Sequence, residues 1–223
     1  ETNDKTWTLP HSTTGQTVKS FFCYSLINAL CVFAAHAESN RFIGGHIQIA
    51  SGYQWNNPSL DNYSDSQSTT SSPVKGIPLV FGAGYSLTLN SSKVIGLSYE
   101  RNLADTYSAS LSTTSSGTSK SSSLAYTHQQ RISITGGHLL SNFAMVYGKL
   151  GFASLSTTKA DNNFDLNGYV LGVGYKSFLT NYHYVFAEYN HTRMPQTGLS
   201  NGSVTYDAQS VGHELLFGVG LQF

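Results

Sequence analysis

The sequence predicts an all-β chain: eight antiparallel strands in up-and-down order, a meander closed into a transmembrane barrel. Three observations predict it. Charged residues make up only 11% of the 223 residues, against roughly 25% in soluble proteins, so part of the surface is not expected to meet water. Apolar residues alternate with small or polar ones along eight separate runs, the mark of strands with two unlike faces. The connections alternate between long and short, which sorts the long loops to one end, as in membrane barrels.

Residues 18–37 precede the first run and read as a secretory signal. Lys19 stands before an apolar run from Phe21 to Ala35, and Ala35-His36-Ala37 supplies the small-x-small cleavage pattern. The apolar run is short for a membrane helix. Residues 1–17 are expected to be an upstream extension, with Val18 a candidate start, and the mature barrel domain is expected to cover 38–223. Both cysteines, Cys23 and Cys31, fall inside the signal. The mature chain is therefore expected to fold without a disulfide framework.

The first run, 40–52, leads into the long polar "YQWNNPSLDNYSDSQSTTSSPVK". In the second, 76–89, Leu79, Phe81, Ala83, Tyr85 and Leu87 share one face, and Val80, Gly82, Gly84, Ser86 and Thr88 the other. "NSSK" turns into the third, 93–108, where Ile95, Leu97 and Tyr99 oppose Gly96, Ser98 and Glu100. The Ser/Thr-rich "STTSSGTSKSSS" leads to the fourth, 123–135. There Leu124, Tyr126, Ile132 and Ile134 share a face with His128 and Gln130, a conflict that a β-bulge or a strand end outside the bilayer resolves. "GGHLLS" precedes the fifth, 142–156, in which Ala144, Val146, Leu150 and Phe152 are assigned outward because that turns Lys149 inward. "TTKADNN" precedes the sixth, 164–179, where Tyr169, Leu171, Val173 and Tyr175 oppose Gly168, Val170, Gly172, Gly174 and Lys176. "TN" joins it to the seventh, 182–193, where Val185, Ala187 and Tyr189 oppose Phe186, Glu188 and Asn190. After "MPQTGLSNGS" comes the eighth, 206–223, with Leu215, Phe217, Val219, Leu221 and Phe223 on one face.

The second face carries too many glycines and too few charges to be a wet exterior. Turned inward, it lets a narrow barrel close, and the apolar face then meets lipid. This parity places Glu100, Arg131, Lys149, Lys176, Glu188 and Glu214 inside, three acids facing three bases. A paired, hydrogen-bonded set can roughly break even on burial, whereas a Lys or Arg on the lipid face costs about 2–4 kcal/mol near the midplane. Tyr85, Tyr99, Tyr175 and Tyr189 suit an interfacial aromatic girdle.

Zero net charge and the lack of a basic run give nucleic acid no electrostatic footing. The eight histidines are scattered, with no pair at ligand spacing on one element, so neither metal nor cofactor is expected. Any specificity is expected in the loops near 53–75, 109–122, 157–163 and 194–205. Trp55, Pro58, Leu60 and Tyr63 supply contact chemistry in the first of them.

The last strand, with Phe217, Val219, Leu221 and Phe223 spaced by Gly218, Gly220 and Gln222, resembles the β-signal read by the barrel-assembly machinery. With "FIGGHIQIASGYQ", "FGAGYSLTL", "YGKLGFAS" and "YVFAEYNHT", the mature chain is similar to the small eight-stranded outer-membrane barrel family, which includes the OmpA transmembrane domain, OmpX and the opacity-type surface proteins. The resemblance implies a non-enzymatic scaffold in the bacterial outer membrane, displaying loops for adhesion, surface interaction or envelope integrity. It implies phospholipid and lipopolysaccharide as surroundings, the assembly machinery as a partner during insertion, and a host or surface ligand at the loops. An OmpA-like periplasmic domain would follow residue 223 and is not expected. A small porin-like channel is the first alternative, weakened because side chains fill an eight-stranded interior. A lipid A-modifying barrel enzyme is the second. It would have to use His191 with Ser200 or Ser203, although Thr192 follows the histidine and the His-x-Ser-Asn pattern of the lipid A deacylases is missing.

Overall fold

The computed structural model describes residues 41–223 apart from 63–68, 72, 105–106, 116–117, 160–161 and 202–203. The predicted signal and the upstream extension lie outside the described residues. Strands are β1 (Gly44–Asn62), β2 (Thr69–Ser71), β3 (Val74–Gly76), β4 (Leu79–Asn90), β5 (Lys93–Asn102), β6 (Tyr107–Ser115), β7 (Thr118–Leu139), β8 (Ala144–Lys159), β9 (Asn162–Phe178), β10 (His183–Asn201) and β11 (Val204–Gln222). Pairing runs β1-β4-β5-β7-β8-β9-β10-β11 and returns to β1, antiparallel at every step. The ring is closed with eight staves. β3 continues the row of β4 beside β1, and β6 continues the row of β5 beside β7.

Local chemistry fixes the short turns. Ser92 N donates to Asn90 Oδ1 at 3.0 Å between β4 and β5. Between β7 and β8, Ser141 Oγ accepts from Phe143 N and Ala144 N at 3.2 and 3.1 Å. Between β9 and β10, Thr180 Oγ1 accepts from Tyr182 N and His183 N at 3.3 and 3.0 Å. A short polar side chain opens each turn and satisfies amides that the ladder no longer reaches.

The other end differs from expectation. Segments predicted as loops continue as paired strand: β1 reaches Asn62, β6 and β7 take up 109–122 apart from 116–117, β8 reaches Lys159, and β10 and β11 take up 194–205 apart from 202–203. Ser and Thr are acceptable in a ladder. With both faces polar, however, the period-two contrast that reveals a strand vanishes. The predicted bulge in the fourth run has a counterpart, a register shift between Thr127 and Gln130. Within it Gln129 is buried, and at its end Gln130 is exposed.

Side chains alternate as the parity argument requires. Along β5, every second residue from Val94 to Asn102 is buried. The outer wall carries Leu97, Val173 and Phe217 at 57%, 62% and 58% exposure. On β11 the apolar row runs from Leu215 to Phe223, close to the roughly 9–11 residues with which a strand crosses a bilayer. Such a continuous apolar belt is not a water-facing surface.

Inside, β10 shows the layering. From the turn end it presents Tyr184 and Phe186, then Glu188 and Asn190, then Thr192 and Met194. The first layer is an apolar plug in which Phe42, Met145 and Phe178 join Tyr184 and Phe186. Phe42 and Phe178 meet edge to face at 4.9 Å. Charged groups form the next layer, and amides close the loop end. Glycines allow this narrow packing. A Cβ on Gly52 would lie 1.8 Å from the Leu215 carbonyl oxygen, a backbone atom that no rotamer change moves. Gly52→Ala is therefore expected to cost about 1–3 kcal/mol through overpacking. Equilibrium unfolding in detergent checks this, and an unchanged or raised midpoint would mean that β1 and β11 are less closely apposed.

Candidate functional site: the barrel axis and the outer girdle

β5, β7, β8, β10 and β11 each send one charged side chain to the axis. Arg131 Nε donates to Glu100 Oε2 at 2.8 Å, and Arg131 Nη1 also pairs with Glu214. Lys149 Nζ donates to both Glu100 oxygens, at 3.1 and 3.0 Å, and also pairs with Glu188. These five side chains are at most 4% exposed. Neutral groups complete the shell. Tyr147 Oη donates to Glu188 at 2.8 Å, and Asn190 Nδ2 donates to Glu188 at 2.8 Å and Glu214 at 3.1 Å. Gln48 receives a hydrogen bond from Tyr184 Oη at 3.0 Å and sits 3.4 Å from Glu100.

Lys176 departs from the predicted matched set. It is buried, but its Nζ lies over the Tyr184 ring, 4.2 Å from the centroid, and makes none of the four ion pairs. Its strand position beside the aromatic plug explains this: the nearest large surface is a π face, which attracts a cation. The pentad alone carries two positive and three negative charges, and Lys176 brings the axis to neutrality.

Above the pentad, Gln129 Oε1 accepts from Gln54 Nε2 at 3.0 Å and Asn102 Nδ2 at 3.1 Å. Below it, a cavity of about 30 Å³ lies among His46, Ser86, Ser98, Lys149, Lys176 and the apolar Met145. That volume suits one or two waters.

On the outer wall, just beyond the apolar belt, β1, β10 and β11 assemble an aromatic and imidazole patch. Trp55 stacks on His213 with centroids 5.2 Å apart and planes at 13°. His191 faces His213 across the ladder at 4.9 Å. Tyr189 Oη lies 2.6 Å from His213 Nδ1. Trp55 thus belongs to the wall of β1, not to a free loop. Pro58 and Leu60 also lie on β1, opposite Ser210 and Ala208, and Tyr63 is outside the described residues. His191 and Ser200 are nine residues apart on one extended strand, a separation of about 30 Å at roughly 3.3 Å per residue. The considered His–Ser pairing is not assembled; Ser203 lies outside the described residues.

No family model matches the sequence, and no curated protein matches it. Solved structures do match. OprG from Pseudomonas aeruginosa, an outer membrane protein, superposes with a TM-score of 0.55 at 10% identity, covering 82% of this chain and 100% of that one. Neisserial surface protein A (NspA) superposes with a TM-score of 0.50 at 13% identity, covering 80% and 97%. The fold is that of the outer-membrane β-barrels.

In this outer-membrane barrel fold, Phe217, Val219 and Leu221 lie on the outward row of β11, next to the seam with β1, and exposed Phe223 follows just past the strand. Phe223 N donates to the Gly45 carbonyl at 2.8 Å, and its ring occupies the space that a Cβ on Gly45 would need. Gly44 turns the chain there at φ 112°, a conformation that favours glycine. Sequence reasoning missed Tyr147, Tyr184, Gln48 and Gln129 as members of the axial network, and the His191–His213 contact. Each depends on which residue of one strand faces which of another, and periodicity within a single strand carries no such information.

Proposed function

We propose that the chain is an integral protein of the bacterial outer membrane, exported by its 18–37 signal. In this reading it is a non-enzymatic scaffold that holds polar strand extensions outside the cell for contact with a host or surface ligand. The barrel-assembly machinery would read Phe217, Val219, Leu221 and Phe223, and phospholipid and lipopolysaccharide would surround the belt. The observation that carries the reading is an axis filled, among the described residues, by apolar, ion-paired and hydrogen-bonded side chains inside an apolar wall. Apolar plug, ion-paired pentad and amide layer succeed one another along the bore, so the polar β1–β3, β6–β7, β8–β9 and β10–β11 ends are the parts left to meet a partner.

The test has two arms. Shortening 56–74 and 107–122 to tight turns is expected to abolish surface attachment while the folded barrel keeps its heat-modifiable gel migration. Attachment that persists would remove the display role. The intact protein in planar bilayers is expected to show no large stable openings, and sustained conductance would favour a channel instead.

A further inference from the structure

We propose that His191 and His213 form an open divalent transition-metal site on the outer wall of the barrel. The two residues are direct cross-strand partners in the β10–β11 ladder, so both side chains leave the same face, close together. Their rings lie 4.9 Å apart, centroid to centroid, with planes inclined at 53°. That spacing suits chelation. A metal–nitrogen bond of about 2.0–2.1 Å plus ~1.1 Å from ring nitrogen to ring centre puts each centre about 3.2 Å from the ion, and angles between square and tetrahedral then separate the centres by about 4.5–5.2 Å.

The surroundings are those of a built ligand. A metal-binding histidine ordinarily engages its second ring nitrogen with an oxygen, which fixes ring orientation and tautomer. His213 Nδ1 has Tyr189 Oη at 2.6 Å. When Nδ1–H donates to that oxygen, the Nε2 lone pair is free. The indole of Trp55, stacked at 13°, holds the same ring plane from the other side. His191 has no hydrogen bond to another described residue that would occupy its nitrogens, and both rings are partly exposed to the outside.

No group of three or more His, Cys, Asp or Glu suited to a metal gathers among the described residues. The protein therefore gives two nitrogens, and water fills the other positions. Two imidazoles without a carboxylate select copper, nickel or zinc over calcium or magnesium, and copper(II) binds tightest in that series. The inference does not depend on surface display; a scaffold with different extensions would keep the site.

Copper(II) titration tests it, because Trp55 reports directly. In a Trp7→Phe background Trp55 is the only indole. Copper(II) added to the folded, micelle-embedded protein is expected to quench it saturably at one equivalent, with electron paramagnetic resonance showing two nitrogen ligands. Zinc(II) is expected to compete for the site only in large excess over copper(II). His191→Ala and His191→Gln each remove an outward ring, and each is expected to weaken binding more than ~100-fold, because loss of a ligand exceeds the 10–100-fold typical of losing its hydrogen-bond partner. Tyr189→Phe is expected to weaken it about tenfold. Parent and His191 variants titrating alike, or one nitrogen in the parent spectrum, would overturn the site.

Discussion

Replacing Arg131 by methionine is expected to lower the unfolding free energy by about 3–5 kcal/mol, the usual consequence of deleting one member of a buried ion pair. Arg131 joins β5 to β11 by pairing with Glu100 and Glu214. Without it Glu100 still has Lys149, but among the described residues Glu214 keeps only Asn190 Nδ2. A carboxylate held by one amide and shut away from water must take up a proton or admit solvent, and both disrupt the packing. Removing both charges, in Arg131→Met with Glu214→Gln, is expected to restore part of the loss, with a coupling of about 0.5–3 kcal/mol. Lys176→Met is expected to cost much less, because no carboxylate loses an ion pair. Urea unfolding in lipid, followed by gel migration, of the parent, Arg131→Met, Glu214→Gln, their combination and Lys176→Met gives the losses and the coupling. Equal losses for Arg131→Met and Lys176→Met would contradict the network.

The same residues show what was legible in the chain. Parity along a single strand placed Glu100, Arg131, Glu188 and Glu214 on the inner face, because a hydrophobic alternation of period two is a property of one strand; Lys149 was turned inward by the cost of a lysine on the lipid face, since its run does not alternate cleanly. Partnership is not. Glu100 meets Arg131 because β5 pairs with β7 in a register that sets those two residues opposite each other. Tyr184 reaches Gln48 across 136 positions of sequence. The fate of Lys176 is similar. Its inward direction followed from the glycines around it, while its contact with Tyr184 depended on the register of β9 against β10. The histidine pair was hidden for the same reason, since 191 and 213 share no element and become neighbours only in the β10–β11 ladder. Strand ends were obscured differently: outside the belt both faces are polar, and a paired Ser/Thr strand reads like a loop.

Val173→Arg is expected to destabilise the barrel by about 2–4 kcal/mol in lipid vesicles. Val173 is 62% exposed and lies between Gly148 and Tyr189 in the ladder. On β9 the outward row runs Tyr169, Leu171, Val173, Tyr175, so this position is near the middle of the belt. If that wall faced water, an exposed substitution there would stay within about 0.5 kcal/mol of neutral. If it faces hydrocarbon, the guanidinium must drag in water or thin the bilayer around it. The penalty is expected to fall with depth, to about 0–1 kcal/mol for arginine at Tyr169, four residues along the same outward row and about 10 Å nearer the interface. Depth dependence is the decisive part, since a packing defect would not track distance from the midplane. Equal costs at 173 and 169, or a neutral Val173→Arg, would mean that the apolar belt is not the surface that meets lipid.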